Sequence, residues 1–218
     1  MAEKLQVGVI GLGKFGYKFG KTLVGLGHAV LGIDINPENV KRAQQVFTQV
    51  FQADAMNKTA LEQLGITYLQ HVLVSVGDSI AASTMISMYL KELGIPKILV
   101  KAINSDHEKL LLKVGVDEVI IPEHVAAKQF ANRIANPGFI EYLPFDTTMV
   151  IKELLVKQWA GKKLRDLDLT NRYNTQVIAI RKAGKERFKF IPKADDKLES
   201  GDTLVALGHN DTLRQIVS

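Results

Sequence analysis

Cysteine does not occur in this sequence, which excludes disulfides, thiolate zinc sites and a cysteine nucleophile. No stretch approaches the roughly 20 uninterrupted apolar residues of a membrane-spanning helix. The start, "MAEKLQVGVI", lacks a basic segment, a long apolar core and a cleavage site, so no signal peptide is read. Histidine is sparse: His28, His71, His107, His124 and His209 are scattered, and none has the i, i+4 spacing of a metal-ligand pair. A nucleophile elbow and a paired-carboxylate signature are missing too. Together these absences suggest a cytoplasmic protein without a catalytic constellation.

What is present is ordinary globular material, 46% hydrophobic and 23% charged over 218 residues. The net charge of +5 raises the question of nucleic acid, but the excess is not concentrated. Residues 1–138 carry 14 basic against 12 acidic side chains, and residues 139–218 carry 14 against 11. The densest basic stretch, "RKAGKERFKF", has the pattern of a hairpin with a solvated face and no helix-turn-helix beside it. Nucleic acid is not an expected partner.

The first 138 residues alternate apolar strands with helical segments. Strands are expected in "LQVGVIG", "AVLGIDI", "TQVFQAD", "HVLVSVG", "KILVKAI" and "EVIIP", with a helix after each. Asn36 is expected to cap the second helix, with Pro37 at its first position. Strands of continuous Val, Ile and Leu must be buried on both faces, as in a parallel sheet covered by helices. The fold class is therefore α/β, a Rossmann-type doubly wound parallel sheet. Asn136-Pro137-Gly138 breaks the rhythm. Beyond it come strand-like runs with close turns, such as Lys182-Ala183-Gly184-Lys185, and a short terminal helix in "NDTLRQIV". The expected domains are 1–138, nucleotide-binding, and 139–218, a small α+β C-terminal domain.

The chemistry concentrates in "GVIGLGKFGYKFGKTLVGLGHAVLGIDIN", residues 8–36. Gly11, Gly13 and Gly16 follow a strand and open a helix, and Asp34 ends the next strand 18 residues after Gly16. Gly11 permits the tight turn, Gly13 lets a phosphate approach the backbone, and Gly16 allows close helix–strand packing. Helix-start N–H groups and the helix dipole attract phosphates. Asp34 can accept hydrogen bonds from both hydroxyls of an adenosine ribose and would repel a 2′-phosphate. Lys14, inside the turn, could meet a terminal phosphate, a hint of ATP or ADP, or could be an ordinary solvated lysine.

The stretches "GLGKFG", "GIDINPE", "QADAMN", "VSVGDSIAASTMISMYLKELGI", "ILVKAINSDHEKLLLKVGVDEVIIPE" and "KLRDLDLTNRYNTQVIAIRK" follow in order. Together they resemble the RCK (TrkA-type) family, the cytosolic gating subunits of bacterial Trk and Ktr potassium transporters, with the Ktr-type rings nearest. The resemblance spans essentially the whole chain. It implies a homo-oligomer, dimers joined through the last helices of the nucleotide domain and assembled into an octameric ring. The ring would lie under a membrane potassium-translocating subunit of the KtrB/TrkH kind, and ATP and ADP would set its shape.

By the same resemblance, Gly11, Gly13, Lys14, Phe15 and Gly16 would hold phosphates, Asp34 and Asn36 the ribose, and Asp54 and Ala55 the adenine. Val76, Gly77 and Asp78 would line the fourth-strand edge, and Lys101 and Glu123 would reach the phosphates. Glu123 would also help to hold a cation between paired sites. Plainer roles stand beside these: Asp54 as a helix cap, Lys101 as a solvated strand end, Glu123 as an acid favouring a helix start. The family commonly has arginine at Lys14, an acidic residue at Val125 and, in relatives that bind cyclic di-AMP in the C-terminal domain, arginine at Thr170. The segment "DLTNRYNTQV", with Pro192 beyond it, is where that ligand would bind. A sensor that reads NAD/NADH, and a small NAD-dependent oxidoreductase, are the alternative readings.

Overall fold

Strands rich in Val, Ile and Leu need cover on both faces, and the first part of the chain supplies it. The computed structural model describes residues 4–77, 79–135, 138–143 and 146–216; Asn136, Pro137 and Asp78 lie outside them. The chain divides into two compact units, Met1–Glu123 and His124–Ser218. Helix α6 (Pro122–Ala135) straddles that division, whereas the boundary read from composition falls after it.

In the first unit, strands β1 (Gln6–Ile10), β2 (Ala29–Asp34), β3 (Gln49–Gln52), β4 (His71–Val74), β5 (Lys97–Lys101) and β6 (Glu118–Ile120) form one parallel sheet. Its order is β3-β2-β1-β4-β5-β6, the doubly wound arrangement expected from the sequence. Helices α1 (Lys14–Gly25) and α2 (Pro37–Gln44) cover one face, around Val9, Leu12, Val30, Phe47 and Leu73. Helices α3 (Lys58–Gln63), α4 (Ile80–Glu92) and α5 (Ser105–Val114) cover the other, around Ile10, Ile33, Leu61, Ile86, Leu90, Ile98 and Leu111.

Helices α2 to α5 start where side chains can satisfy their first N–H groups. Asn36 accepts from Glu38 N with Pro37 at the first position, and Asn57, Ser79 and Asn104 do the same for α3, α4 and α5. Asp54 is not the cap of α3; Asn57 is, and Asp54 Oδ1 instead accepts from Met56 N at 2.9 Å in the preceding turn.

Between α4 and α5 lies a buried histidine. His107 Nε2 is 2.9 Å from Ser83 Oγ, and His107 Nδ1 accepts from Ile103 N at 3.3 Å. Because a backbone N–H only donates, Nδ1 must be bare, and the proton belongs on Nε2, donated to Ser83. Burial pushes the His107 pKa down, so this neutral form persists below the ordinary histidine range.

In the second unit, strands β7 (Phe139–Leu143), β8 (Asp146–Leu155), β9 (Gln176–Arg181), β10 (Lys189–Phe190) and β11 (Thr203–His209) form an antiparallel sheet in the order β10-β9-β11-β8-β7. The expected turn at Lys182–Lys185 is present, closed by Lys185 N donating to Lys182 O at 3.0 Å. Val150, Leu154, Ile180, Leu198, Leu204 and Leu213 form the core, with Trp159 packed against it. Leu213 comes from α8 (Asn210–Gln215), the expected terminal helix, and two elements absent from the sequence reading add Leu167 and Leu169: a 3-10 turn (Leu164–Leu167) and the short α7 (Leu169–Tyr173).

Asp202, just before β11, is fully buried. Burial works against its charge, but it accepts from Lys182 Nζ (2.8 Å), Glu199 N (2.9 Å) and Ala183 N (3.0 Å). These bonds outweigh the burial and hold its carboxyl below the ordinary aspartate value. A lowered carboxylate pKa contributes stability above the unfolded value near 3.9, and that stability is lost as pH falls through the folded value.

Two outcomes are expected. Asp202→Ala should destabilise the second unit by about 1–3 kcal/mol, because it strands buried donors; Lys182→Ala should cost less, since that lysine is half exposed. Urea unfolding followed by the emission of Trp159, the single tryptophan, ranks the two. In a nuclear magnetic resonance titration, the His107 imidazole should protonate below about 6.5, the unperturbed histidine value. Its contribution to stability should be complete above that pH and fall away as acid is added.

Candidate functional site

Strand order reverses between β1 and β4, and a cavity of about 450 Å³ opens there at the carboxyl ends of the strands. Its floor is the glycine turn. Gly11 has φ +90°, and a Cβ on it would overlap the Ser75 carbonyl oxygen; a Cβ on Gly16 would overlap the Gly11 carbonyl oxygen. Only glycine permits these two approaches, which bring the glycine turn against the end of β4 and the first turn of α1 against the end of β1.

Gly13 is different in kind. A Cβ there would meet nothing within 4 Å, so the backbone faces open space inside the cavity. Gly13 is also the N-cap of α1, with no side-chain cap and no acid in the first turn. The leading N–H groups of that helix have no intrahelical acceptors, and its N-cap lies at an opening a methyl group would begin to fill. That combination suits an anion.

Asp34 lines the cavity beside the glycine turn. Its Oδ2 accepts from Leu12 N at 2.6 Å and from Asn39 Nδ2 at 3.1 Å, and its Oδ1 accepts from Asn36 N at 2.8 Å. Arg42 stands behind, with Nη2 donating to Leu12 O (2.6 Å) and Asn39 Oδ1 (3.2 Å) and its guanidinium 4.6 Å from the Tyr17 ring centre. Apolar walls come from Ile10, Ile33, Ile35, Ala55, Met56 and Ile86. An apolar cavity beside a carboxylate and a helix start fits a flat base, a hydroxylated sugar and an anionic tail.

Of the residues singled out in the sequence, Gly11, Gly13, Asp34, Asp54, Ala55, Val76 and Gly77 line the cavity. Lys14 is exposed at the start of α1. Phe15 stacks on Phe19 (6.4 Å between ring centres) and packs toward the core, and Gly16 is buried beneath the turn. Asn36 spends its side chain on capping α2. Asp78 lies outside the described residues. Lys101 and Glu123 form an ion pair at 3.1 Å, the lysine side chain 19% exposed and the glutamate 67%; neither lines the cavity. Among the described residues no group of three His, Asp or Glu could hold a metal ion.

Asn39, Arg42, Ser75 and Met56 were not read as site residues. Asn39 and Arg42 sit three apart on one face of α2, a spacing that could have paired them, but nothing local aims that face at a turn 30 residues earlier in the chain.

The TrkA-N domain model matches residues 7–122 and the TrkA-C domain model residues 156–218. The chain belongs to the TrkA-type (RCK) family. It is 35% identical to Ktr system potassium uptake protein A and 34% identical to protein C, both of Bacillus subtilis (strain 168), covering 96% and 94% of this chain and 94% and 92% of theirs. Among solved structures, the GsuK channel bound to NAD has a TM-score of 0.57 at 18% identity, over 98% of this chain and 38% of that one. The GsuK bound to ADP has a TM-score of 0.52 at 20% identity, over 60% and 34%. This chain thus spans well under half of those solved chains, and what it shares with them is the fold.

In the TrkA-C part, a second cavity of about 420 Å³ is lined by Arg165, Asp168, Thr170, Asn171, Gln176 and Pro192, among others. Asp168, Asn174 and Ile191 around it adopt positive φ of 47°, 48° and 52°. Arg165 is held by Asp195 at 2.7 Å, and a hydrogen bond from Lys163 with the Arg165 charge keeps the Asp195 carboxyl below its ordinary value.

The contrast between the two turn glycines is testable. Gly16→Ala should lower the thermal midpoint by several degrees, because a backbone atom must move (about 1–3 kcal/mol for overpacking). Gly13→Ala should shift it by only a degree or two. Circular dichroism melting at 222 nm, where the helices of the first unit dominate, reads both.

Proposed function

We propose that this chain is a nucleotide-sensing regulatory subunit of a Ktr- or Trk-type potassium transporter, and that it binds an adenine nucleotide without chemically changing it. One observation carries the reading: the uncapped, glycine-opened start of α1 and the Asp34 carboxylate, joined to it through Leu12 N, line one apolar cavity. The helix start would take the phosphates, Asp34 the ribose and the isoleucine walls the base. A 2′-phosphate would be repelled by Asp34, so NADP is disfavoured. The ionisable groups among the described lining residues are Asp34 and Asp54, and both already accept hydrogen bonds from backbone N–H groups. They are placed to hold a ligand and not to move protons, which supports binding over catalysis.

ATP or ADP is the favoured ligand, because an exposed cation at Lys14 can swing to a terminal phosphate while Lys101 stands at the end of β5. The relation to the Ktr potassium uptake proteins supports a membrane potassium-translocating partner of the KtrB/TrkH kind and a cytoplasmic position beneath it. Homo-oligomerisation is supported by α6, which has no buried residue in the single chain and exposes Val125, Phe130 and Ile134. A ring built on such pairs, an octamer in our reading, would bring copies of Glu123 near bound phosphates and a shared cation. Cyclic di-AMP, if it acts on this chain, would enter the TrkA-C cavity at Thr170, Asn171 and Pro192.

NAD or NADH is the second reading, favoured by one observation: Lys14 is solvent-exposed and does not line the cavity, while the opening at Gly13 equally suits a bridging pyrophosphate. Calorimetry on nucleotide-free protein separates the two. ATP and ADP should bind, and Gly13→Ala should weaken both at least about tenfold, a loss of roughly 1.4 kcal/mol, with the fold intact. Lys14→Ala should weaken ATP far more than NADH. Tight NADH binding with no response to ATP or ADP would replace the adenine-nucleotide switch by a redox sensor.

A further inference from the structure

An ionised carboxylate has about four acceptor positions, two on each oxygen. In Asp34 three are in use before any ligand arrives. Leu12 N and Asn39 Nδ2 occupy Oδ2, and Asn36 N occupies one position on Oδ1. The Leu12 and Asn36 bonds belong to backbone turns and cannot be released without remodelling them. The Asn39 bond is a side-chain choice, and it is enforced. Arg42 only donates, so the amide atom facing it must be the oxygen, Asn39 Oδ1, at 3.2 Å; the NH₂ end is thereby turned onto Asp34. Arg42 is itself fixed by Leu12 O and by the Tyr17 ring.

We propose that Asn39, oriented by Arg42, makes ribose recognition one-sided: Asp34 has a single acceptor position left, so it reads one ribose hydroxyl and tolerates changes at the other. Asn39 is a specificity-determining residue and Arg42 a positioning residue. The ligand class is accordingly an adenine nucleotide that can lack its second ribose hydroxyl, deoxy forms included. This rests on the reading of the cavity as a nucleotide site.

The test compares ADP, 2′-deoxy-ADP and 3′-deoxy-ADP by calorimetry on the full chain, with far-ultraviolet circular dichroism confirming the fold of each variant. For the unmodified protein, loss of one hydroxyl should weaken binding about tenfold, the effect of one hydrogen bond to a charged group. Loss of the other should change it less than about twofold. Asn39→Ala frees the Oδ2 position, so the tolerated deletion should become costly, by about fivefold or more. Arg42→Gln, which releases the amide without removing it, should move the profile the same way but less far. A merely structural role for either residue would weaken all three ligands in proportion. Equal penalties for both deoxy forms in the unmodified protein, or an unchanged one-sided profile in Asn39→Ala, would overturn the inference while leaving the nucleotide site standing. No binding of ADP at all would remove both.

Discussion

The Asp34 carboxylate is the constraint around which the site is built. It ends β2, yet its strongest partner is the N–H of Leu12 in the glycine turn, at 2.6 Å. A hydrogen bond to a charged group across two adjacent strand ends fixes the turn after β1 to the turn after β2. Asn36 N and Asn39 Nδ2 tie the start of α2 to the same group. The glycine turn cannot hold its shape by side chains, because Gly11 and Gly16 have none. It is held from outside by Asp34 and Arg42, and from beneath by the Gly11–Gly16 contact.

The second unit uses the same device for a different end. Asp202, like Asp34, accepts two backbone N–H groups and one side-chain donor. It also fixes turns to one another, in this case those around Lys182 and Glu199. The difference is exposure. Asp202 is fully buried, and its remaining acceptor capacity meets no solute. Asp34 stands at the rim of a cavity wide enough for a drug-sized ligand. One carboxylate stabilises a fold, and the other stabilises a fold and keeps one acceptor position in reserve. Asp54 carries less: its one bond to Met56 N shapes a local turn at the same cavity.

Much of this was legible in the order of residues. Continuous Val, Ile and Leu runs in alternation with helical segments pointed to buried parallel strands, and Asn36-Pro37 to a helix start, so the sheet and its glycine turn followed from local rules. The relation of Asn39 and Arg42 to Leu12 was not legible, because it depends on how α2 lies over the sheet. Local pattern says which face of α2 is polar and not what that face meets. The stretch 164–173 was missed for a different reason. A five-residue helix is too short to show a 3.6-residue period, and Asp168 and Asn174 bound it in left-handed conformations that sequence signals only weakly. Asp54 was open to misreading because aspartate and asparagine both cap helices, and the helix took Asn57.

Energetics then argue for assembly. Regulation by ligand requires that the ligand prefer one state of the protein, and a preference can shift an equilibrium only by its own size. The contacts available here are modest. The Lys101–Glu123 pair joins the end of β5 to the first turn of α6, but with the glutamate 67% exposed it belongs to the class of ion pairs worth about 0–1 kcal/mol. On the proposed reading, a phosphate that competed for Lys101 would exchange one anionic partner for another, so the preference this pair could supply per site stays within about 1 kcal/mol. Driving a two-state element from 1:99 to 99:1 needs about 5.5 kcal/mol. On that reading a single site of this size would fall short of a switch, and several sites moving together would be needed to reach it. The exposed apolar positions of α6, in a helix that starts at that same ion pair, would on the proposed reading be the surface on which further copies join.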